Sequence, residues 1–99
     1  MKNPYVEIPE KNFEQLVKEA ARMNGWMYYH TYRSIKSEPG FPDCVMVRGN
    51  RLIFAELKTQ KGKLSVHQDC WLKTLDEVVG IECYVWRPSD WEEIEETLR

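Results

Sequence analysis

The sequence lacks most of the features that mark a specialised class of protein. Its three cysteines, Cys44, Cys70 and Cys83, are odd in number and form no CxxC pair. That excludes a disulfide framework and a zinc knuckle, and it leads to the expectation of a reducing, cytoplasmic setting. His67 and Cys70 stand three apart, but no second pair completes a tetrahedral zinc site. No apolar stretch approaches the roughly 20 residues that span a bilayer, and Met1 to Glu7 contain no apolar run of the secretory kind. No membrane association is expected. Internal repeats, linkers and low-complexity tracts are absent. So is a strong charge of one sign: the formal net charge is −2, and bulk electrostatics alone do not call for a polyanionic partner.

What is present suits one compact unit over residues 1–99. The 99 residues are 42% hydrophobic and include four Trp and three Phe, enough large side chains for a single core. A chain of this size buries roughly 60–65% of its unfolded surface, which is viable without staples. The charges are unevenly spread. Residues 30–73 carry Arg33, Lys36, Arg48, Arg51, Lys58, Lys61, Lys63 and Lys73 against Glu38, Asp43, Glu56 and Asp69. A basic middle between acidic ends can present one face to phosphate. The acidic tail, Asp90 to Glu96, is expected to face away from it.

Periodicity predicts a helix over 10–24, with Phe13, Leu16, Val17, Ala20 and Ala21 at 3/4 spacing and Asn24-Gly25 as its stop. Trp26 to Tyr32 reads as an aromatic strand, and Cys44 to Val47 and Leu52 to Lys58 as a strand pair turned at Gly49-Asn50. Ser65 and Gln68 spell a capping box that opens a second helix, with Trp71, Leu72, Leu75, Val78 and Val79 on its apolar face and Gly80 as its end. Ile81 to Trp86 is a further strand. Ser89 and Glu92 spell a second capping box before a last helix that buries Trp91, Ile94 and Leu98. The order is α-β-β-β-α-β-α. The paired strands are apolar on both faces, so helices should cover a central mixed sheet on both sides, giving a three-layer α/β sandwich.

A turn at Gly49-Asn50 makes facing residues sum to 99, so Asp43 faces Glu56. Opposed residues hold their Cβ atoms about 4.5–5.5 Å apart, and like charges there repel. Lys58, two beyond Glu56, shares its face. Two carboxylates and an ammonium therefore converge at one end of an apolar strand pair. A divalent cation relieves the repulsion, and Mg²⁺ favours a few carboxylates together with waters and phosphate oxygens. Such an ion polarises a phosphodiester and acidifies a bound water, while Lys58 is suited to orient that water or to hold the growing negative charge. The alternative is a plain same-face ion pair of Glu56 and Lys58 at a strand end.

The string Pro39-Gly40-Phe41-Pro42-Asp43, Phe54-Ala55-Glu56-Leu57-Lys58, Leu64-Ser65, Gln68 and Trp71-Leu72 resembles the stand-alone VRR-NUC domains of the PD-(D/E)xK nuclease superfamily. These occur in phages and bacteria, and as the catalytic domain of a eukaryotic DNA-repair nuclease. The similarity extends to Gly25-Trp26, Tyr29-His30 and Val85-Trp86-Arg87-Pro88. It implies a PD-(D/E)xK restriction-endonuclease-like fold and a Mg²⁺- or Mn²⁺-dependent DNA endonuclease. It further implies action on branched DNA such as Holliday junctions or flaps, with a homodimer suited to a two-fold symmetric junction. Carried over by residue, Asp43 and Glu56 match the metal-binding carboxylates, the Leu57 carbonyl completes the metal shell, Lys58 matches the catalytic lysine and Gln68 the family's helical glutamine. For the family's early helical acid Glu10 fits best and Glu14 is the runner-up.

Several residues carry a second reading. Gln68 is either the capping-box partner of Ser65 or a polar group turned to the site. Glu10 is otherwise an ordinary first-turn acid favoured by the helix dipole. His30 is either a DNA contact or a partly buried structural histidine. Arg33, Lys36, Lys61 and Lys63, on loops flanking the predicted site, are either phosphate contacts giving affinity without sequence readout or solvated loop charges. At the level of activity, the alternatives are a monomeric flap nuclease or exonuclease, and a non-catalytic DNA-binding module on the same fold.

Overall fold

The computed structural model describes residues 9–32 and 35–99. Its elements run α1 (Glu10–Met23), β1 (Met27–His30), β2 (Cys44–Arg48), β3 (Arg51–Leu57), α2 (Val66–Asp76), β4 (Ile81–Trp86), a 3-10 turn (Pro88–Asp90) and α3 (Trp91–Leu98). The strands form one sheet in the order β1-β2-β3-β4. β1, β2 and β3 are antiparallel neighbours, whereas β4 lies parallel to β3 and makes the sheet mixed. A parallel neighbour needs a crossover, and α2 supplies it.

Side-chain alternation sorts the sheet into two faces. Cys44, Met46, Ile53, Ala55 and Leu57 point to one side, where they join Phe13, Val17 and Ala21 of α1 and Ile94 and Leu98 of α3 in the buried core. Each fully buried side chain of the Phe, Ile or Leu kind contributes about 1.5–3 kcal/mol, so this layer holds the domain together. The opposite side carries Phe54 and Glu56 and is covered by α2. Phe41, in the loop before β2, packs edge-on against both Phe54 and Trp71. The result is a three-layer α/β domain with a four-stranded mixed sheet.

Trp26 closes the far end of the core. Its indole N–H donates to the Leu98 carbonyl at 2.8 Å, and the guanidinium groups of Arg48 and Arg51 lie 4.5 and 4.9 Å from its ring centroid. Arg51 also forks onto Glu82 through two 2.8 Å bonds. Two of the three arginines counted in the basic middle of the chain, Arg48 and Arg51, are thus absorbed by the scaffold.

Two details differ from the sequence reading. Val78 and Val79 are not on the apolar face of α2: the helix stops at Asp76, a Val78-to-Leu75 turn bond follows, and both valines are exposed. The predicted capping box of Ser89 and Glu92 does not form either. Pro88–Asp90 takes a 3-10 turn, Asp90 accepts from the Arg87 N–H at 2.8 Å, and α3 begins one residue later than the capping spelling suggests.

Candidate active site

The hairpin fixes the site. Gly49 has φ +60° and no described non-glycine residue has a positive φ, the pattern of a two-residue II′ turn with glycine first. The β2–β3 register is Val47 to Leu52, Val45 to Phe54 and Cys44 to Ala55, every pair summing to 99 as the sequence predicts. Asp43, one step before β2, stands beside the C-terminal end of β3. Its Oδ2 accepts from the Leu57 N–H at 2.8 Å.

Glu56 lies at the centre. It is 1% exposed, the one charged side chain buried among the described residues. Its Oε1 accepts from Gln68 Nε2 at 3.0 Å and lies 3.9 Å from Lys58 Nζ. Its Oε2 is buried with no hydrogen-bond partner. Burial pushes the Glu56 carboxyl up to about 8, the neighbouring Asp43 carboxylate adds to the rise, and the Lys58 ammonium opposes it. Two adjacent carboxylates can bond to each other only when one carries a proton. Without a cation, then, the Glu56 carboxyl holds a proton near neutrality.

Gln68 resolves the choice between cap and site by serving both. Ser65 Oγ accepts from the Gln68 N–H at 3.1 Å, and Gln68 Oε1 accepts from the Ser65 N–H at 2.9 Å. The free end of the same amide donates to Glu56. The start of α2 is held against the sheet by the Pro39-Gly40-Phe41 loop. Trp71 Nε1 donates to the Pro39 carbonyl at 3.0 Å, and Gly40, with φ +92°, lies so close to His67 and Gln68 that a Cβ there would stand 2.5 Å from the His67 carbonyl carbon. Only glycine permits that approach and that φ.

The loop after β3 is fixed from behind. Arg87 Nη1 donates to the carbonyls of Thr59 at 2.7 Å and Gly62 at 2.6 Å, and the Ser89 N–H donates to Gln60 Oε1 at 3.2 Å. Lys61 and Lys63 are exposed on this loop. Lys58, whose N–H donates to the Trp86 carbonyl at 2.9 Å, roots it. Nothing local in the sequence marks Arg87 as the clamp, because its partners lie 25 to 28 residues away.

The remaining expected residues are placed as follows. Glu10 is exposed in the first turn of α1, and among the described residues no three His, Cys, Asp or Glu side chains gather as metal ligands. Glu10 stands one turn before Phe13 on the Phe13-Val17-Ala21 stripe, exposed where those three are buried. Glu14 is half-buried and sits 3.0 Å from His30 Nδ1. His30 pairs with Cys44 and so faces α1, on the side of the sheet opposite Asp43. A carboxylate rather than open solvent meets its Nδ1, which suits the structural reading over the DNA contact. Burial pushes the neighbouring Tyr28 hydroxyl and Cys44 thiol well above their ordinary ranges, with the charges of Glu14 and Asp43 adding to both. Lys36 is exposed in the loop before β2. Arg33 lies outside the described residues.

Asp43 and Glu56 bring carboxylate oxygens together, and the Leu57 carbonyl follows Glu56 directly in the chain. The orphaned Glu56 Oε2 and the carboxylate repulsion are both relieved by a cation. A hard ion that keeps several waters and takes phosphate oxygens needs only one or two protein carboxylates, so this set fits Mg²⁺ or Mn²⁺. No described helix is long and apolar enough to cross a membrane. Comparison of the chain with family models, with curated proteins and with solved structures found no match.

Proposed function

We propose that the protein is a divalent-metal-dependent DNA endonuclease of the PD-(D/E)xK type, similar to the stand-alone VRR-NUC domains. The observation that carries this reading is Glu56: a buried carboxylate set beside Asp43, bonded by Gln68, approached by Lys58 and left with one unpartnered oxygen. A fold that needed only stability has no use for such a cluster, since an apolar residue there would be more favourable. The combined signature of residues 39–72 supports the family, and the α-β-β-β-α-β-α order agrees with it.

Asp43, Glu56 and the Leu57 carbonyl are the residues that would hold Mg²⁺ or Mn²⁺. When bound there, the ion supplies Lewis-acid polarisation of the phosphodiester and a water of lowered pKa. The protein's own part is positional. The Leu57 N–H fixes the Asp43 carboxylate, Gln68 fixes Glu56, and Lys58 brings a positive charge to the phosphate side of the pair. Lys61 and Lys63, exposed on the clamped loop, supply phosphate affinity without sequence readout. Substrate choice by shape rather than sequence follows, and branched DNA is the proposed substrate. A four-way junction has two-fold symmetry, so a homodimer with paired sites is the proposed assembly.

The test is cleavage of labelled four-way-junction, flap, linear duplex and single-stranded DNA in Mg²⁺, Mn²⁺ or EDTA, with solution mass measured alongside. Metal-dependent nicking, lost in EDTA and lost in folded Asp43→Asn and Lys58→Met variants, is the expected result. DNA binding without cleavage of any substrate in either metal overturns it and leaves a non-catalytic binding module. Cleavage by a monomer restricted to flaps or ends replaces the junction reading alone.

A further inference from the structure

Two side-chain oxygens on the α2 side of the sheet are buried without a hydrogen-bond partner, Glu56 Oε2 and Thr31 Oγ1. The second belongs to a residue with no part in the donor set described above. Its position follows from the register. His30 pairs with Cys44, and the ladder continues one step as the Thr31 N–H donates to the Asp43 carbonyl at 2.8 Å. Thr31 therefore stands opposite Asp43, and Asp43, one step past the Cys44–Ala55 pair, lies beside Glu56 and Leu57. Alternation turns all three side chains to the same face, with neighbouring Cβ atoms about 4.5–5.5 Å apart.

The row thus reads Thr31 just past β1, Asp43 just before β2 and Glu56 on β3, with an unpartnered oxygen at each end and a carboxylate between. Lys58 flanks the row on the β3 side. A buried hydroxyl without a partner is unfavourable, and native proteins seldom keep one. The other buried polar atoms without partners, on Tyr28 and Trp86, belong to the α1 face, as does His30 Nδ1 beside Glu14, and are remote from this row in the alternation. What sets Thr31 apart is that its neighbour is the candidate metal ligand itself. A hydroxyl can donate where a carboxylate can only accept. It also adds a donor without a charge, so it leaves the Asp43 carboxylate free for a cation, which a lysine there would not.

We propose that Thr31 is a substrate-binding residue, its hydroxyl donating to a non-bridging oxygen of the DNA phosphate held between Asp43, Glu56 and Lys58. The proposal rests on the nuclease reading. In it the phosphate is gripped from both sides of Asp43, by the ammonium of Lys58 just past β3 and by the neutral hydroxyl of Thr31 just past β1. Thr31 Oγ1 has no partner in the free protein because its partner is the substrate.

The experiment compares wild type, Thr31→Val and Thr31→Ser. Binding of fluorescein-labelled junction and flap DNA is read by anisotropy with Ca²⁺ in place of Mg²⁺, cleavage by kcat and KM in Mg²⁺, and stability by thermal melting without DNA. A hydrogen bond to a charged group corresponds to a tenfold or greater change in affinity. Thr31→Val is expected to weaken DNA binding and raise KM by about that factor while melting at or above the wild-type temperature, because it removes an unpartnered hydroxyl. Thr31→Ser is expected to stay within about twofold of wild type. Substituting a methylphosphonate for the cleaved phosphate should erase the difference between wild type and Thr31→Val in one diastereomer. Should Thr31→Val not fold, Thr31→Ala carries the same comparisons. Wild-type affinity and KM in the hydroxyl-free variant overturn the Thr31 proposal while the nuclease reading stands. A wild-type protein that neither binds nor cuts DNA ends both.

Discussion

The side-chain amide of Gln68 donates to Oε1 of Glu56 across 3.0 Å while its own oxygen accepts from the Ser65 N–H. One residue thus starts α2 and orients the buried carboxylate. Gln68→Glu separates the two duties. The new carboxylate can still cap Ser65, but it has no proton to give Glu56 and adds a third negative charge beside Asp43. The variant should retain helix content by circular dichroism, lose about 1–3 kcal/mol of metal-free stability, and lose more at pH 8 than at pH 5. Equal losses at both pH values count against a charge effect.

Glu56 also sets a pH dependence. Its carboxyl is pushed up to about 8, by burial first and by Asp43 second. The folded state then holds a proton that the unfolded state releases near the ordinary value of 4.5. The stability associated with this proton is complete below about pH 4.5, declines as pH rises through the interval, and is gone above about 8. At about 1.36 kcal/mol per unit, the decline amounts to a few kcal/mol. Urea unfolding in EDTA across pH 5 to 9 should show it. Adding Mg²⁺ or Ca²⁺ at pH 8 should restore stability, because the cation takes the place of the Glu56 proton. A flat profile, or no response to either ion, would contradict a raised Glu56 carboxyl.

Asp43→Asn should exchange function for stability. The asparagine oxygen can still accept from the Leu57 N–H, and the loss of the charge removes one cause of the raised Glu56 carboxyl. The expected metal-free protein is more stable than wild type at pH 8 by about 1–2 kcal/mol, a typical gain on relieving a strained functional site, and it does not cleave. Asp43→Ala leaves the Leu57 N–H unpaired and should instead destabilise. Denaturation midpoints of the two variants settle the sign.

These contacts show where sequence reading succeeds and where it stops. The pairing of Asp43 with Glu56 was legible because Gly49-Asn50 fixes a register and alternation does the rest. The stripe of Phe13, Val17 and Ala21 was legible for the same reason, since a periodic pattern is a local signal. The bond from Leu57 N–H to Asp43, the reach of Gln68 to Glu56 and the Arg87 clamp join residues 12 to 28 apart, and no local pattern encodes them. Glu10 and Glu14 differ only in how far the core extends beneath α1, which a helical repeat does not state. Val78 and Val79 continue the spacing of α2 past its end, and spacing alone cannot tell a buried valine from an exposed one.

Gly40 is the residue at which packing and site should fail together. A Cβ there meets the His67 carbonyl carbon at 2.5 Å and the Gln68 nitrogen at 2.7 Å, and φ is +92°. Both obstacles are backbone, so the loop and the start of α2 must separate. Gly40→Ala should cost about 2–4 kcal/mol, a fall in Tm of roughly 10–20 °C, and it should lower cleavage at temperatures where the protein is still folded, because Gln68 moves off Glu56. Gly49→Ala is the control. A Cβ at Gly49 meets nothing within 4 Å, so only the strain of its positive φ is added, about 1–2 kcal/mol, and cleavage by the folded protein should persist.

Arg87 and Lys63 should part company in salt. The Arg87 guanidinium is occupied with the carbonyls of Thr59 and Gly62 and has no charge to offer a phosphate there. Lys63 is exposed on the loop those bonds hold. Arg87→Met should therefore lower Tm, since carbonyls lose their donor, and weaken DNA binding by loosening the loop, yet leave the slope of log K against log salt unchanged. Lys63→Ala should leave stability within about 0.5 kcal/mol of wild type and reduce that slope by about 0.9, the share of one phosphate contact on duplex DNA. Anisotropy titrations between 50 and 200 mM salt, with a fluorescein-labelled junction and Ca²⁺, measure both. A slope that changes with Arg87 and not with Lys63 would place the phosphate contact at the wrong end of the loop.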